Sequence, residues 1–196
     1  IGHRPSLKKV GYLPEHHKFP QYLTAIQVLQ FYGALSRVSK QIRKKRAYAL
    51  LERLGLTGWE KKKVSTFSKG MRQRLGIAIA LINDPAVVVL DEPTDGVDPV
   101  GRREIRDLLT ELKAEGKAVF LNSHLLSELE MVCDRVAIMV KGQVTMQGTV
   151  EELTKEINIP ISIDTSKPEV MEQAVESGAS IINDVNALRA DGAVEM

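Results

Sequence analysis

Residues 86–94 read Ala-Val-Val-Val-Leu-Asp-Glu-Pro-Thr, an apolar run that stops abruptly on two carboxylates. The run is short and β-branched, which reads as a buried strand of a sheet with both faces covered. Its C-terminal end delivers Asp91 and Glu92 side by side. Phosphoryl chemistry needs such a pair: one carboxylate to hold Mg2+ through water, and a neighbour to polarise the attacking water.

Upstream, Val10-Gly11-Tyr12-Leu13 runs into Pro14 as a short strand entering a loop. Thr24 can cap a helix over Ala25–Leu35. Ser39–Leu54 continues as a second helix with a very basic face (Arg43, Lys44, Lys45, Arg46) and a stop at Gly55. Lys61-Lys62-Lys63 reads as a solvated loop. Ser68 can cap a helix that includes Arg72–Ile82, and Asn83-Asp84-Pro85 breaks it. Downstream, Pro99 starts a helix through Ala114 that Gly116 ends. Ala118–Leu121 is expected to be another buried strand, running into Asn122-Ser123-His124. Leu125–Val132 is expected to be helical, and Arg135–Val140 with Gln143–Gln147 to form a hairpin over Lys141-Gly142. Strands and helices alternate, which predicts an α/β layer with polar residues at its strand ends.

The pattern changes after about residue 155. Ile159–Ile163 reads as a strand ending in Asp164, Pro168–Ser177 as a helix, and Ile181-Ile182 as a strand ending in Asn183-Asp184. This is one compact βαβ unit with polar residues at both strand ends.

Composition excludes several classes. Lys+Arg total 27 against 25 Asp+Glu, yet residues 1–63 carry 14 basic and 3 acidic side chains and the remainder 13 and 22. Nucleic acid or an anionic membrane surface would suit such a basic third, and so would ordinary solvated helix faces. The single cysteine, Cys133, excludes a disulfide framework and a cysteine-rich zinc site; it suits a reducing compartment and packing as a small hydrophobe. No apolar run approaches the roughly 20 residues of a membrane span. The first residue is Ile1 and the last residues lack a terminator, so both ends are expected to lie inside a longer sequence.

Five segments resemble, in order and spacing, the ATP-binding subunit of ABC transporters over residues 10–148. Phe67-Ser68-Lys69-Gly70-Met71-Arg72-Gln73-Arg74 is similar to that family's signature motif, in an export-type version. Val89-Leu90-Asp91-Glu92-Pro93-Thr94 resembles the Walker B strand with its following glutamate. Gly96-Val97-Asp98-Pro99 resembles the D-loop, and Asn122-Ser123-His124 the switch histidine. Gly11-Tyr12-Leu13-Pro14-Glu15 stands where the family has its Q-loop, with glutamate for the commoner glutamine. The resemblance implies ATP and Mg2+ as cofactors. It implies Glu92 as water-polarising base, His124 as γ-phosphate sensor, and Asp91 and Glu15 near the metal. Ser68, Lys69 and Gly70 would address the γ-phosphate held by an opposite subunit, since a helix N-terminus favours an anion, and Asp98 would contact the partner across a dimer. It further implies a homodimer or paired ATPase subunit, a permease gripped at the cytoplasmic face of the membrane, and no nucleic acid.

The family's phosphate loop, G-x-x-x-x-G-K-[ST], is not in these residues. The one Gly-Lys pair, Gly116-Lys117, is followed by Ala118, and the first glycine position is Glu111. The expected fold is therefore an incomplete P-loop NTPase-like α/β core over 1–153, with a helical subdomain at about 20–84. Residues from roughly 156 onward resemble dihydropteroate synthase, a (β/α)8 barrel. Asp164 and Asn183 match its pterin-pocket residues, and two strands cannot close a barrel. The expectation is a chimera: a partial ATPase domain joined at about residue 154 to a βαβ fragment.

Overall fold

Three short strands, Val10–Leu13 (β1), Val87–Asp91 (β2) and Ala118–Asn122 (β3), pair in parallel in the spatial order β1-β2-β3. The computed structural model describes residues 7–123, 126–156, 162–165, 167–176 and 181–183, and the chain divides into two compact units, 1–134 and 135–196. In the first unit Leu13, Leu90 and Leu121 stand in register, as do Asp91 and Asn122. All three strands therefore end at one edge of the sheet, with Pro14-Glu15, Glu92 and Ser123 just beyond.

Three α-helices lie between β1 and β2: Ala25–Leu35 (α1), Lys40–Arg53 (α2) and Lys69–Leu81 (α3); Pro99–Ala114 (α4) connects β2 to β3. Thr24 and Gln27 form a capping box at the start of α1. The lysine loop is tied in by its backbone, since the Ala25 and Ile26 N–H groups donate to the carbonyls of Lys62 and Glu60, while the three lysine side chains are exposed. Asp84, at φ +55, stops the chain from continuing α3. Its carboxylate receives Lys117 at 2.6 Å and Arg46 at 3.1 Å, and the Lys117 hydrogen bond, first among its causes, holds it below the usual carboxylate range.

The core lies on one face of the sheet. Leu13, Val88 and Leu90 are buried with Leu75, Ile77 and Ala78 of α3 and Ile105, Leu109 and Leu112 of α4. Gly11 lets β1 lie directly on α3, because a Cβ there would collide with the Ala80 carbonyl. The other face departs from expectation. Along β2 only Val88 and Leu90 are buried, and β3 is not a buried strand: Ala118, Phe120 and Asn122 are exposed. Tyr12, Val89 and Phe120 are aligned across the three strands, and Tyr12 and Phe120 are 55% and 64% exposed. The apolar runs predicted cover on both faces; α3 and α4 supply it on one. Cys133 likewise is half-buried, not a core residue, and partial burial pushes its thiol pKa up.

The helix Leu126–Val132 (α5) follows, and in the second unit Val136–Val140 (β4) and Gln143–Gly148 (β5) pair antiparallel over Lys141 and Gly142, at φ +50 and +80. These two left-handed residues are what a tight hairpin turn requires. Thr149 and Glu152 exchange hydrogen bonds and start Val150–Glu156 (α6). Ser162–Asp164 (β6) and Ile181–Asn183 (β7) pair in parallel around Pro168–Glu176 (α7). The expected βαβ order is present; the proposed start of its first strand, at Ile159, lies outside the described residues.

Candidate active site

Asp91 closes β2 and is half-buried; the Asn122 side-chain amide donates to its Oδ1 at 2.6 Å. Glu92 follows with φ +47, a left-handed conformation that a non-glycine residue adopts at a cost of roughly 1–3 kcal/mol. Backbone contacts hold it there. Its N–H donates to the Asn122 carbonyl at 2.9 Å, and its own carbonyl accepts from Asp95 N–H at 3.2 Å and from Gln73 Nε2 at 2.8 Å. Gln73 comes from α3 and is only 4% exposed. The sequence reading missed it as a site residue. The available signal was a polar amide among the apolar positions of a helix, which requires a buried partner.

Ser68 is a working N-cap, its Oγ accepting the Met71 N–H at 3.2 Å. Lys69 does not present a free cation at that helix start: its Nζ pairs with Asp95 Oδ2 at 2.7 Å, and its stem lies over Gly96. An exposed pair of this kind contributes about 0–1 kcal/mol, so it can be exchanged for another anion at little cost. Gly70 has no steric need to be glycine, because a Cβ there would meet Val97 at 3.8 Å, an ordinary contact. Gly70→Ala is accordingly expected to leave stability unchanged or raise it by up to about 1 kcal/mol of helix propensity, with a melting temperature that does not fall. A thermal melt checks this; a clear loss of stability would show a structural role.

Asp98 caps α4, its Oδ2 accepting the Gly101 N–H at 3.3 Å. Glu15 is exposed in the turn after β1, 3.7 Å from His16 Nδ1. His17 beside it is half-buried against Phe19. Burial, the largest cause, holds its ring below the ordinary 6.5, opposed by its hydrogen bond to the Pro14 carbonyl. The folded state thus prefers neutral His17, so this contribution to stability is complete above pH 6.5 and is lost as pH falls below it. His17→Gln should flatten the melting temperature between about pH 7.5 and 5; an unchanged slope would remove His17 from that titration.

His124 lies outside the described residues. The backbones of Asp164 and Asn183 are partners across β6 and β7. Among the described residues no cluster of three or more His, Cys, Asp or Glu could enclose a metal.

Residues 2–95 match the ABC transporter family model. Residues 138–196 match that of pterin binding enzymes, a match that begins inside β4. An uncharacterized ABC transporter ATP-binding protein of Synechocystis is 44% identical over 78% of this chain and 44% of its own length. The uncharacterized ABC transporter ATP-binding protein YhcH of Bacillus subtilis is 37% identical over 97% of this chain and 60% of its own. That alignment, 192 residues long, takes in most of the segment that the pterin match also covers. Among solved structures, the ATP-binding subunit of an ABC transporter superposes with a TM-score of 0.69 at 27% identity, over 78% of this chain and 65% of that one. The chain spans about half the length of the curated relatives it matches, from 44% to 61%.

Proposed function

We propose that residues 1–153 are part of an ABC transporter ATP-binding domain that couples ATP hydrolysis to transport through a permease. The observation that carries this reading is the strand-end cluster. A carboxylate held by Asn122 stands beside a glutamate whose backbone is fixed in a left-handed conformation by buried Gln73 of the signature-like helix. Asp91 would hold Mg2+, which neutralises charge on the phosphates when bound. Glu92 would polarise water, His124 would contact the γ-phosphate, and Ser68, Lys69 and Gly70 would complete the site of a second subunit. Asp98 would meet that subunit, and Glu15 would face the permease. The permease would hold the domain at the cytoplasmic face; among the described residues no helix is long and apolar enough to cross a membrane.

The exposed face of β1, β2 and β3 supports the same reading. A phosphate loop is a strand–loop–helix module. Its strand needs a sheet edge and its helix an apolar sheet face; β3 and the Tyr12–Val89–Phe120 row offer both. The test is dimerisation. With such a module fused ahead of residue 1, Glu92→Gln should yield an ATP-dependent dimer in light scattering. A monomer at saturating ATP would refute the assignment of the two half-sites.

The pterin match favours a second reading for residues 154–196, a dihydropteroate synthase-like fragment with Asp164 and Asn183 as pocket residues. We expect no pterin chemistry from it, because two strands do not build a barrel pocket. Calorimetry with a pterin should give no heat; binding that Asp164→Ala removes would establish a folate-type site.

A further inference from the structure

The helical hairpin of the first unit carries a surface that the proposed ATPase site does not use. On α2 the inward stripe is Arg43, Ala47, Leu50 and Leu51. The outward stripe, Gln41, Lys44, Lys45 and Tyr48, is exposed. The turn from α1 to α2 adds Arg37 and the first residue of α2 adds Lys40, both exposed. Around these cations stand apolar side chains with no cover: Leu35 is 64% exposed, Ile42 49% and Tyr48 42%. The other basic residues of α2 are engaged elsewhere, Arg46 with Asp84 and Arg53 with Glu111 and Glu115. Arg37, Lys40, Lys44 and Lys45 are in no ion pair among the described residues.

Cations interleaved with exposed aliphatic and aromatic side chains on one end of a helical hairpin match the chemistry of an anionic lipid surface. The ammonium and guanidinium groups meet phosphates, and the apolar tips enter the boundary between headgroups and acyl chains. An acidic protein surface would take the charges but would leave Leu35 and Ile42 without a use. We propose that the α1–α2 hairpin docks directly on an anionic bilayer, with Leu35 and Ile42 inserted and Arg37, Lys40, Lys44 and Lys45 on lipid phosphates. The local charge fits: residues 35–48 hold six basic and no acidic side chains, so the end of the hairpin is attracted to an anionic surface. This contact goes beyond a permease-mediated attachment and does not depend on ATP.

The test is co-sedimentation of the purified full chain with vesicles of phosphatidylcholine containing about a third phosphatidylglycerol, against pure phosphatidylcholine. Binding should require the anionic lipid and weaken as salt shortens the screening length. Each basic residue near such a surface contributes about five-fold in partitioning, so the Lys40→Gln, Lys44→Gln, Lys45→Gln variant should bind about 100-fold less. Leu35→Ser with Ile42→Ser should cost about ten-fold. All five positions are exposed, and circular dichroism will report whether the fold is kept. Equal binding to both vesicles, or binding indifferent to the three lysines, would overturn the proposal. So would lysine-dependent capture of a single-stranded RNA oligomer without vesicle binding. Failure here leaves the ATPase reading standing, and failure of ATP-dependent dimerisation leaves this one standing.

Discussion

The 196-residue chain should release no phosphate from ATP above background, and fusion of a strand–G-x-x-x-x-G-K-[ST]–helix module ahead of residue 1 should raise the rate by at least about a thousand-fold. Phosphoryl transfer asks little covalent chemistry of a protein; positioning and preorganised charge supply most of the acceleration. Asn122 holds the Asp91 carboxylate and Gln73 the Glu92 backbone, but the sequence contains no G-x-x-x-x-G-K-[ST] motif to hold the phosphates. Loss of a single preorganised donor costs ~10²–10³ in rate, so lacking a whole cradle should take turnover below detection. In the fused protein, Glu92→Gln should return the rate to background while leaving ATP binding intact. A malachite-green assay on the four proteins decides it. Turnover by the unfused chain that Glu92→Gln abolishes would mean that other residues of this chain hold the phosphates; a fused chain that binds ATP yet stays inactive would remove Glu92 from the base role.

Much of this arrangement is legible in the residues, and the part that is not has physical reasons. Caps and turns are local chemistry, so Thr24, Ser68, Pro99 and the Lys141-Gly142 turn could be read without tertiary information. Strand burial is not local. The run Val87–Leu90 has the apolarity of a strand covered twice, yet periodicity records what a face can pack against, not whether a covering element is there; β3 shows the same discrepancy at Phe120. Gln73 was hidden because its significance lies in the left-handed turn at Glu92, on another element. Lys69 could be placed at a helix start from sequence, but its pairing with Asp95 depends on how the turn after β2 passes over Gly96. The second unit shows a different limit: the pterin match and the YhcH alignment cover many of the same residues, so resemblance alone does not choose between them.

Gly11→Ala should be the most damaging single-methyl change in the first unit. Gly11 pairs with Val88 in the sheet, and its missing side chain faces α3. An added Cβ would run into the Ala80 carbonyl oxygen and would lie 2.9 Å from both the Ala80 carbonyl carbon and Pro85 Cγ. Those neighbours are a helix backbone and a proline ring, which cannot swing aside as a lysine tail does. β1 must therefore lift from α3 and loosen Leu13 in the core, or α3 must shift and strain the Gln73–Glu92 hydrogen bond. Overpacking typically costs about 1–3 kcal/mol and more where backbone must move; we expect about 3 or above. For a domain of this size that is a fall of roughly 6–12 °C in melting temperature. Gly116→Ala is the matched control. Its Cβ would meet nothing within 4 Å, and the change is opposed only by φ +79, a left-handed penalty of roughly 1–2 kcal/mol. A calorimetric scan in which Gly11→Ala melts no lower than Gly116→Ala would mean that β1 is not seated on α3 as described. Because β1 leads straight to Glu15, a lifted strand should also move that carboxylate away from the edge where Asp91 ends. In the fused, active protein Gly11→Ala should then lower turnover at temperatures well below its own melting point.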